Sequence, residues 1–403
     1  MKKKIVFSLL LITSFYACKK EPIDPKQDVS TNPQEQFTEN SYVRIMLTDA
    51  DNNNLYLVNG KTHNVQTLSF PYSGARVYNT SSGRYAGVVS GSGNFVRFFD
   101  SGIQNNGSSV SESTAQWALT TATSPSPVHF YSRDNHTVLF NDGDGSLSLF
   151  KEDELYSRPT AINLTAGNTA HHGAPAIFNN GKIAITHKDL IAPVNGVLPE
   201  YVKVIGIDGT EVHAKDIKTG GIHGEACNGT TAIFGSTNGI LKVSDNGTQA
   251  LIPYPASFGT TWLGSLIYGK ESQVFIGFRR GFGVFKVDIN SNTVSTIDNS
   301  TDFNGVTFDE KGKYLILLHK TGKLRVIDPS SGAILNETSS VVGFPSSGNS
   351  YMPILKSTSK IVYVIDATNQ KILTYKKSDL SFIKEVALPG KPLTASIIGF
   401  DGE

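Results

Sequence analysis

The sequence predicts an all-β fold, a β-propeller of four-stranded blades, and three observations lead there. From Tyr42 onward, short runs of alternating or β-branched residues recur, separated by Gly, Asn, Asp and Ser. The three-to-four-residue apolar spacing of an amphipathic helix is hard to find over any window of about ten. The runs also group by four into units of roughly 40 to 50 residues, the period of a propeller blade. Two packed β-sandwiches, the competing all-β architecture, do not account for that regular fourfold grouping.

The units can be followed along the chain. One starts near Ala75, and the next runs Pro127–Ser132, His136–Asn141, Ser146–Lys151 and Pro159–Leu164. A third begins at His172 and continues with Lys182–His187, Tyr201–Asp208 and Glu211–Ile217. A fourth begins at His223 and includes TAIFGS, GILKVS and TQALIPY, and others start near Leu263, Asn304 and Tyr351. The chain ends on one lone strand, Leu393–Phe400, and its folded part begins with three, Val43–Thr48, Leu55–Val58 and Val65–Phe70. Three plus one completes a blade, so the N- and C-terminal strands share a sheet and remove the edge an open ring would expose. The count is eight blades, or seven if one unit is read differently.

Composition narrows the function classes. With 39% apolar and 18% charged residues the chain is neither a disordered acidic tail nor a coiled coil. Two Cys rule out a disulfide scaffold or a multi-Cys zinc domain. Thirty-six Lys and Arg against 35 Asp and Glu leave no basic footprint for nucleic acid. The N-terminus reads as a secretory signal over residues 1–17: Lys2, Lys3 and Lys4, an apolar run Ile5–Ile12, then Ala17 before Cys18. The run is shorter than the roughly 20 residues that span a bilayer. Cys18 resembles a bacterial lipidation site, although Phe15 stands where an aliphatic is usual. Residues 18–40 then form an anchor and a polar, Pro-rich tether, leaving 41–403 as the propeller. The expected location is the bacterial envelope, on a periplasm-facing outer membrane or the cell surface, and the expected state is a monomer.

The chemistry-bearing residues are histidines. In a propeller the innermost strand of each blade lines the central channel, and its first residues sit at one mouth. His129, His172 and His223 take that place in three consecutive units. The second strand returns to the same mouth, where His187, His319 and Asp142 end such strands. His171 adjoins His172, and Glu225 lies two residues from His223, on the same side of a strand. His63, His136 and His213 fall in turns or outer strands and read as ordinary surface residues. Three or four neutral imidazoles with a nearby carboxylate suit zinc, and copper or nickel fits the same donors. His129, His171, His172, His187 and His223 are the candidate ligands, of which His171 and His172 are alternatives or partners. Asp142, Glu225 and His319 are candidates to orient them.

Two other classes compete. A metal-dependent lyase or hydrolase would need a general base beside an open coordination position, and Glu225 is the candidate. A propeller that binds only protein or glycan would use aromatics such as Trp262, Tyr268 and Phe282. Gly143-Asp144-Gly145 and Gly281-Phe282-Gly283 read as turn and strand glycines rather than nucleotide motifs. No nucleophile elbow stands out, so the chain reads as a binding protein and not an enzyme.

The stretches PVHF…LFNDGDG (127–145), AHHGAP (170–175) and IHGEACNG…IFGSTNGIL (222–241) resemble the periplasmic zinc-binding propellers known as AztD zinc chaperones. The resemblance is best over residues 125 to 245. It implies a propeller that hands zinc to the solute-binding protein of an ABC importer, with His129, one or both of His171 and His172, and His223 as ligands. Two family features have no counterpart. No His lies between Cys18 and Tyr42, where the family carries a His-rich segment. Thr219-Gly220-Gly221 and Gly235-Ser236 stand where the family tends to have Cys, leaving Cys227 alone.

Overall fold

The computed structural model describes residues 37–165, 169–189, 198–344 and 351–402. The expected signal peptide, the lipidation site Cys18 and the tether as far as residue 36 lie outside the described residues.

Eight four-stranded antiparallel sheets are present among the described residues, each a blade. In chain order of their inner strands, blade 1 begins with Arg76–Asn79, blade 2 with Pro127–Arg133, blade 3 with Pro175–Ile177 and blade 4 with Ile222–Cys227. Blade 5 begins with Ser265–Gly269, blade 6 with Phe303–Phe308, blade 7 with Ile354–Ser357 and blade 8 with Pro392–Gly399. Blade 8 is the mixed one. Its inner strand comes from the C-terminus and pairs with Val43–Asp49, Val43 opposite Gly399 and Thr48 opposite Thr394. The expected eight-bladed ring with terminal closure is what the chain forms.

Burial along a blade follows strand position. The middle strands are covered on both faces by neighbouring blades, as in Leu315–His319, where every residue is buried. The outermost strands keep a wet face, as in Ile334–Thr338. The apolar clusters lie between consecutive blades: Ala176, Ala184, Val202 and Val204 of blade 3 pack on Ala232, Phe234, Leu241 and Val243 of blade 4. Each buried Leu, Ile, Val or Phe contributes about 1.5–3 kcal/mol, so the ring is a series of interlocked layers without a central core. That leaves the axis free for a channel.

Three local features differ from the sequence reading. The third strand of blade 3 stops at Ile205 instead of Asp208, because Gly206–Thr210 closes a turn in which Asp208 Oδ1 accepts from Thr210 N and Oγ1. Blade 1 carries an extra hairpin, Ile103–Asn105 with Val110–Glu112, ahead of its outer strand. Glu39, within the expected tether, is 2% exposed and accepts from Thr358 Oγ1 at 2.5 Å and Tyr363 OH at 2.7 Å in blade 7. Burial pushes its carboxyl above the usual range.

Candidate metal centre

Three histidines from consecutive blades converge on one channel mouth. One ring nitrogen each of His129, His172 and His223 lies within 4.8 Å of the others. Irregular backbone brings them there. In blade 2, Pro127 faces Asn141 but His129 faces Phe140, so Val128 is an extra residue that re-aims the strand start. In blade 4, Ile222 faces Ser236 and Glu225 faces Phe234, so the His223-Gly224 pair holds one residue too many. Gly224 sits at φ +78°, and a Cβ there would come within 2.4 Å of the Gly264 carbonyl oxygen. Only glycine takes that place without strain. In blade 3 the ladder starts at Pro175, and His171-His172-Gly173 lie ahead of it.

Each of the three rings is held through Nδ1. His172 Nδ1 donates to Asp142 Oδ2 at 2.7 Å, and His223 Nδ1 donates to the Gly264 carbonyl at 2.7 Å. His129 Nδ1 faces the Glu225 carboxylate, 3.1 Å from Oε2. A carbonyl or carboxylate oxygen only accepts, so these contacts place the proton on Nδ1 and leave Nε2 as a lone pair. His129 Nε2 and His172 Nε2 are 3.3 Å apart. The edge of a tetrahedron around an ion bound at about 2.0–2.1 Å is roughly that long. When His129 is protonated its Nε2–H can donate to His172 Nε2, and when it is neutral the two lone pairs are spaced for one cation, so the donor set fits a divalent ion of borderline softness. The ring centroids stand 4.9, 5.1 and 5.9 Å apart, and the His172 side chain is 33% exposed, so the group opens to the mouth. Three protein nitrogens leave a fourth coordination position for a water or an incoming ligand.

The carboxylates set the electrostatics. Burial alone would pull the His129 imidazole down, but the Glu225 carboxylate against it, with Asp142 beyond, holds it above the ordinary value. Glu225 is committed to this contact, which favours its orienting role over that of a general base.

The structure places the remaining candidates elsewhere. His171 turns away: its Nδ1 donates to the Thr169 carbonyl at 2.7 Å, its Nε2 meets Thr186 Oγ1 at 3.3 Å, and its ring packs on Phe140. Of the paired histidines, His172 is the one that joins the convergent group. His187 lies 3.6 Å from Asp189, and burial together with Lys203 and Lys215 pulls it down to about 4. His319 is buried in blade 6 with Nδ1 3.0 Å from Asp302. None of these three joins the convergent group. Cys227 is a buried free thiol whose Sγ accepts from Gly229 N, and burial raises it. Sequence reasoning found two of the three orienting acceptors, Asp142 and Glu225. It missed the third, because a backbone carbonyl such as that of Gly264 carries no side-chain signal.

No protein-family model and no curated protein matches the chain. Among solved structures, the crystal structure of Citrobacter koseri AztD is similar with a TM-score of 0.81 at 19% identity, covering 90% of this chain and 99% of that one. The apo form of AztD from Citrobacter koseri gives 0.80 at 19% identity with the same coverage. Dihydro-heme d1 dehydrogenase NirN in complex with DHE gives 0.60 at 13% identity, covering 91% of this chain and 78% of that one. The resemblance read from the HHG and HGE elements is thus met by a structural likeness to AztD, which at this identity establishes the shared propeller fold.

Proposed function

We propose that this chain takes up Zn²⁺ at the mouth formed by His129, His172 and His223 and serves zinc handling in the bacterial envelope. The observation that carries the reading is the common restraint on the three rings. Each Nδ1 is engaged by Asp142, Glu225 or the Gly264 carbonyl, and the Nε2 atoms are left for the ion. Because the ligands sit on separate blades of a closed ring, they are preorganised by packing and do not need the metal to fold. The open fourth position is where a recipient's side chain would enter, so the zinc is cargo to be passed on. The resemblance to AztD points to the solute-binding protein of a zinc ABC importer as that recipient. In this reading Cys18 is lipidated and tethers a monomeric propeller to the membrane.

The test is elemental analysis of residues 21–403 beside a His172→Ala variant of equal fold, after zinc loading and dialysis. About one zinc per chain, lost in the variant, supports the reading. No metal in either overturns it and leaves a protein- or glycan-binding propeller. The hand-off role has its own readout: zinc should move from the loaded chain to a competing chelator or recipient within minutes, whereas an enzyme should keep its metal through turnover.

A further inference from the structure

The channel mouth opposite the histidines opens into a cavity of about 1290 Å³, lined along the inner strands by Tyr131, Arg133, Glu225, Cys227 and Tyr268 and at its rim by Lys270. That volume exceeds the roughly 300–1,000 Å³ of a typical small-molecule pocket. Arg133, at the end of the inner strand of blade 2, is a half-buried cation on this wall, and unlike Arg84, which pairs with Asp100, it makes no direct ion pair among the described residues. Its Nη1 donates to Asn179 Oδ1 at 3.1 Å, and its Nη2 to the Cys227 carbonyl at 2.7 Å and Tyr131 OH at 3.3 Å. All three acceptors are neutral, and its Nε is buried with no partner among the described residues. Among the carboxylates lining the cavity, the adjacent Asp134 favours the charged guanidinium, but none makes a direct ion pair with it. Glu225 is held against His129, Glu152 accepts from the Ser81 and Ser82 hydroxyls, and Asp134 and Asp153 are exposed.

A half-buried guanidinium without a direct ion-pair partner is costly, and the second Nη1 hydrogen, not spent on Asn179, can donate to a carboxylate. The Tyr131 and Tyr268 rings on the same wall offer apolar faces for an organic body. We propose that this mouth carries a second site, for a small organic anion whose carboxylate pairs with Arg133 while Lys270 draws it in from the rim. Glu225 borders both this cavity and the proposed zinc centre, but Arg133 lies at the far end of the inner strand from His129, and nothing in the argument depends on metal.

The experiment is calorimetric titration of benzoate into the metal-free chain, with neutral benzamide as the isostere. Benzoate should bind, more weakly as salt rises, and benzamide should bind at least tenfold more weakly or not at all. Arg133→Gln should weaken benzoate roughly tenfold or more, and Lys270→Gln severalfold. His172→Ala should change nothing. Since Arg133 ties blade 2 to blades 3 and 4, its variant is checked by thermal unfolding. If it does not fold, Lys270→Gln and the benzamide comparison decide. Equal binding of the two probes, no benzoate binding, or binding abolished by His172→Ala overturns the proposal.

Discussion

Blades 4 and 6 share a backbone device and put it to different uses. In blade 4 the bulge presents His223, whose Nδ1 donates at 2.7 Å to the carbonyl of Gly264, the residue just ahead of the inner strand of blade 5. In blade 6 the bulge between Phe303 and Gly305 presents Asn304, whose Nδ2 donates at 3.0 Å to the carbonyl of Pro353, just ahead of the inner strand of blade 7. Both side chains stitch one blade to the next. Asn304 is 4% exposed and is spent on that stitch. His223 makes the same stitch with one nitrogen and has the other left over. The inter-blade bond is therefore common to both blades, and in blade 4 the Nε2 is left over for the proposed ion.

His223→Asn tests that division most directly. The amide can keep the bond to Gly264, as Asn304 keeps its bond to Pro353, while the metal loses one of three ligands. We expect zinc affinity to fall more than about 100-fold, beyond the 10–100-fold cost of removing an orienting partner. The thermal midpoint should stay within a few degrees, because surviving hydrogen bonds of this kind are worth about 1 kcal/mol. Chelator competition and calorimetry measure the two effects. A variant that keeps its zinc, or that unfolds, breaks the comparison.

The orienting carboxylates come next. Asp142→Asn and Glu225→Gln each replace an acceptor-only partner with an amide that can turn a donor toward Nδ1, which would favour the wrong tautomer. Zinc affinity is expected to fall about 10–100-fold for each, with no change in the eight-bladed fold. The same titration reads it. An unchanged affinity would mean that packing alone aims the rings.

How far the sequence reached follows from which groups carry information. The four-strand period and the lone C-terminal strand specified the ring, because alternation and turn residues are read directly from the chain. His129, His172 and His223 were placed by strand position, and the structure unites them. His187 and His319 share the same strand-end logic yet stay apart from the group. Position along a strand says which mouth a residue reaches but not where its side chain is drawn. For His319 that is decided by Asp302, and for His171 by Thr169 and Thr186. The bulges themselves were hidden, since an inserted residue leaves the apolar alternation almost unchanged.

Gly224→Ala sharpens the comparison from the backbone side. The added methyl meets the Gly264 carbonyl at 2.4 Å in a left-handed conformation, so the bulge must shift. The expected cost is on the order of 1–3 kcal/mol in urea unfolding, accompanied by weaker zinc binding as His223 moves. Loss of stability with full zinc affinity would show that the bulge does not aim the ring.

The smallest effect separates two histidines near this mouth by pH. His129, held above the ordinary value by Glu225 against the pull of burial, keeps a proton to higher pH, so zinc must displace it already above about 6.5. Zinc affinity should therefore decline as pH falls from 7.5 toward 5, and a flat profile would exclude His129 as a ligand. In the metal-free chain the raised value of His129 contributes stability that is present below 6.5 and lost as pH rises through the folded value. His187 acts in the opposite sense. Burial, Lys203 and Lys215 bring it down to about 4, so between about 6.5 and 4 the unfolded chain binds the proton that the folded chain refuses. Its contribution is present above 6.5 and drains away as pH falls through that window. Urea unfolding of the metal-free chain at pH 7.5, 6 and 4.5 should show a shallower acid loss in His187→Gln than in the wild type. An identical slope would mean that neither burial nor the Lys203 and Lys215 charges depress His187 in the folded chain.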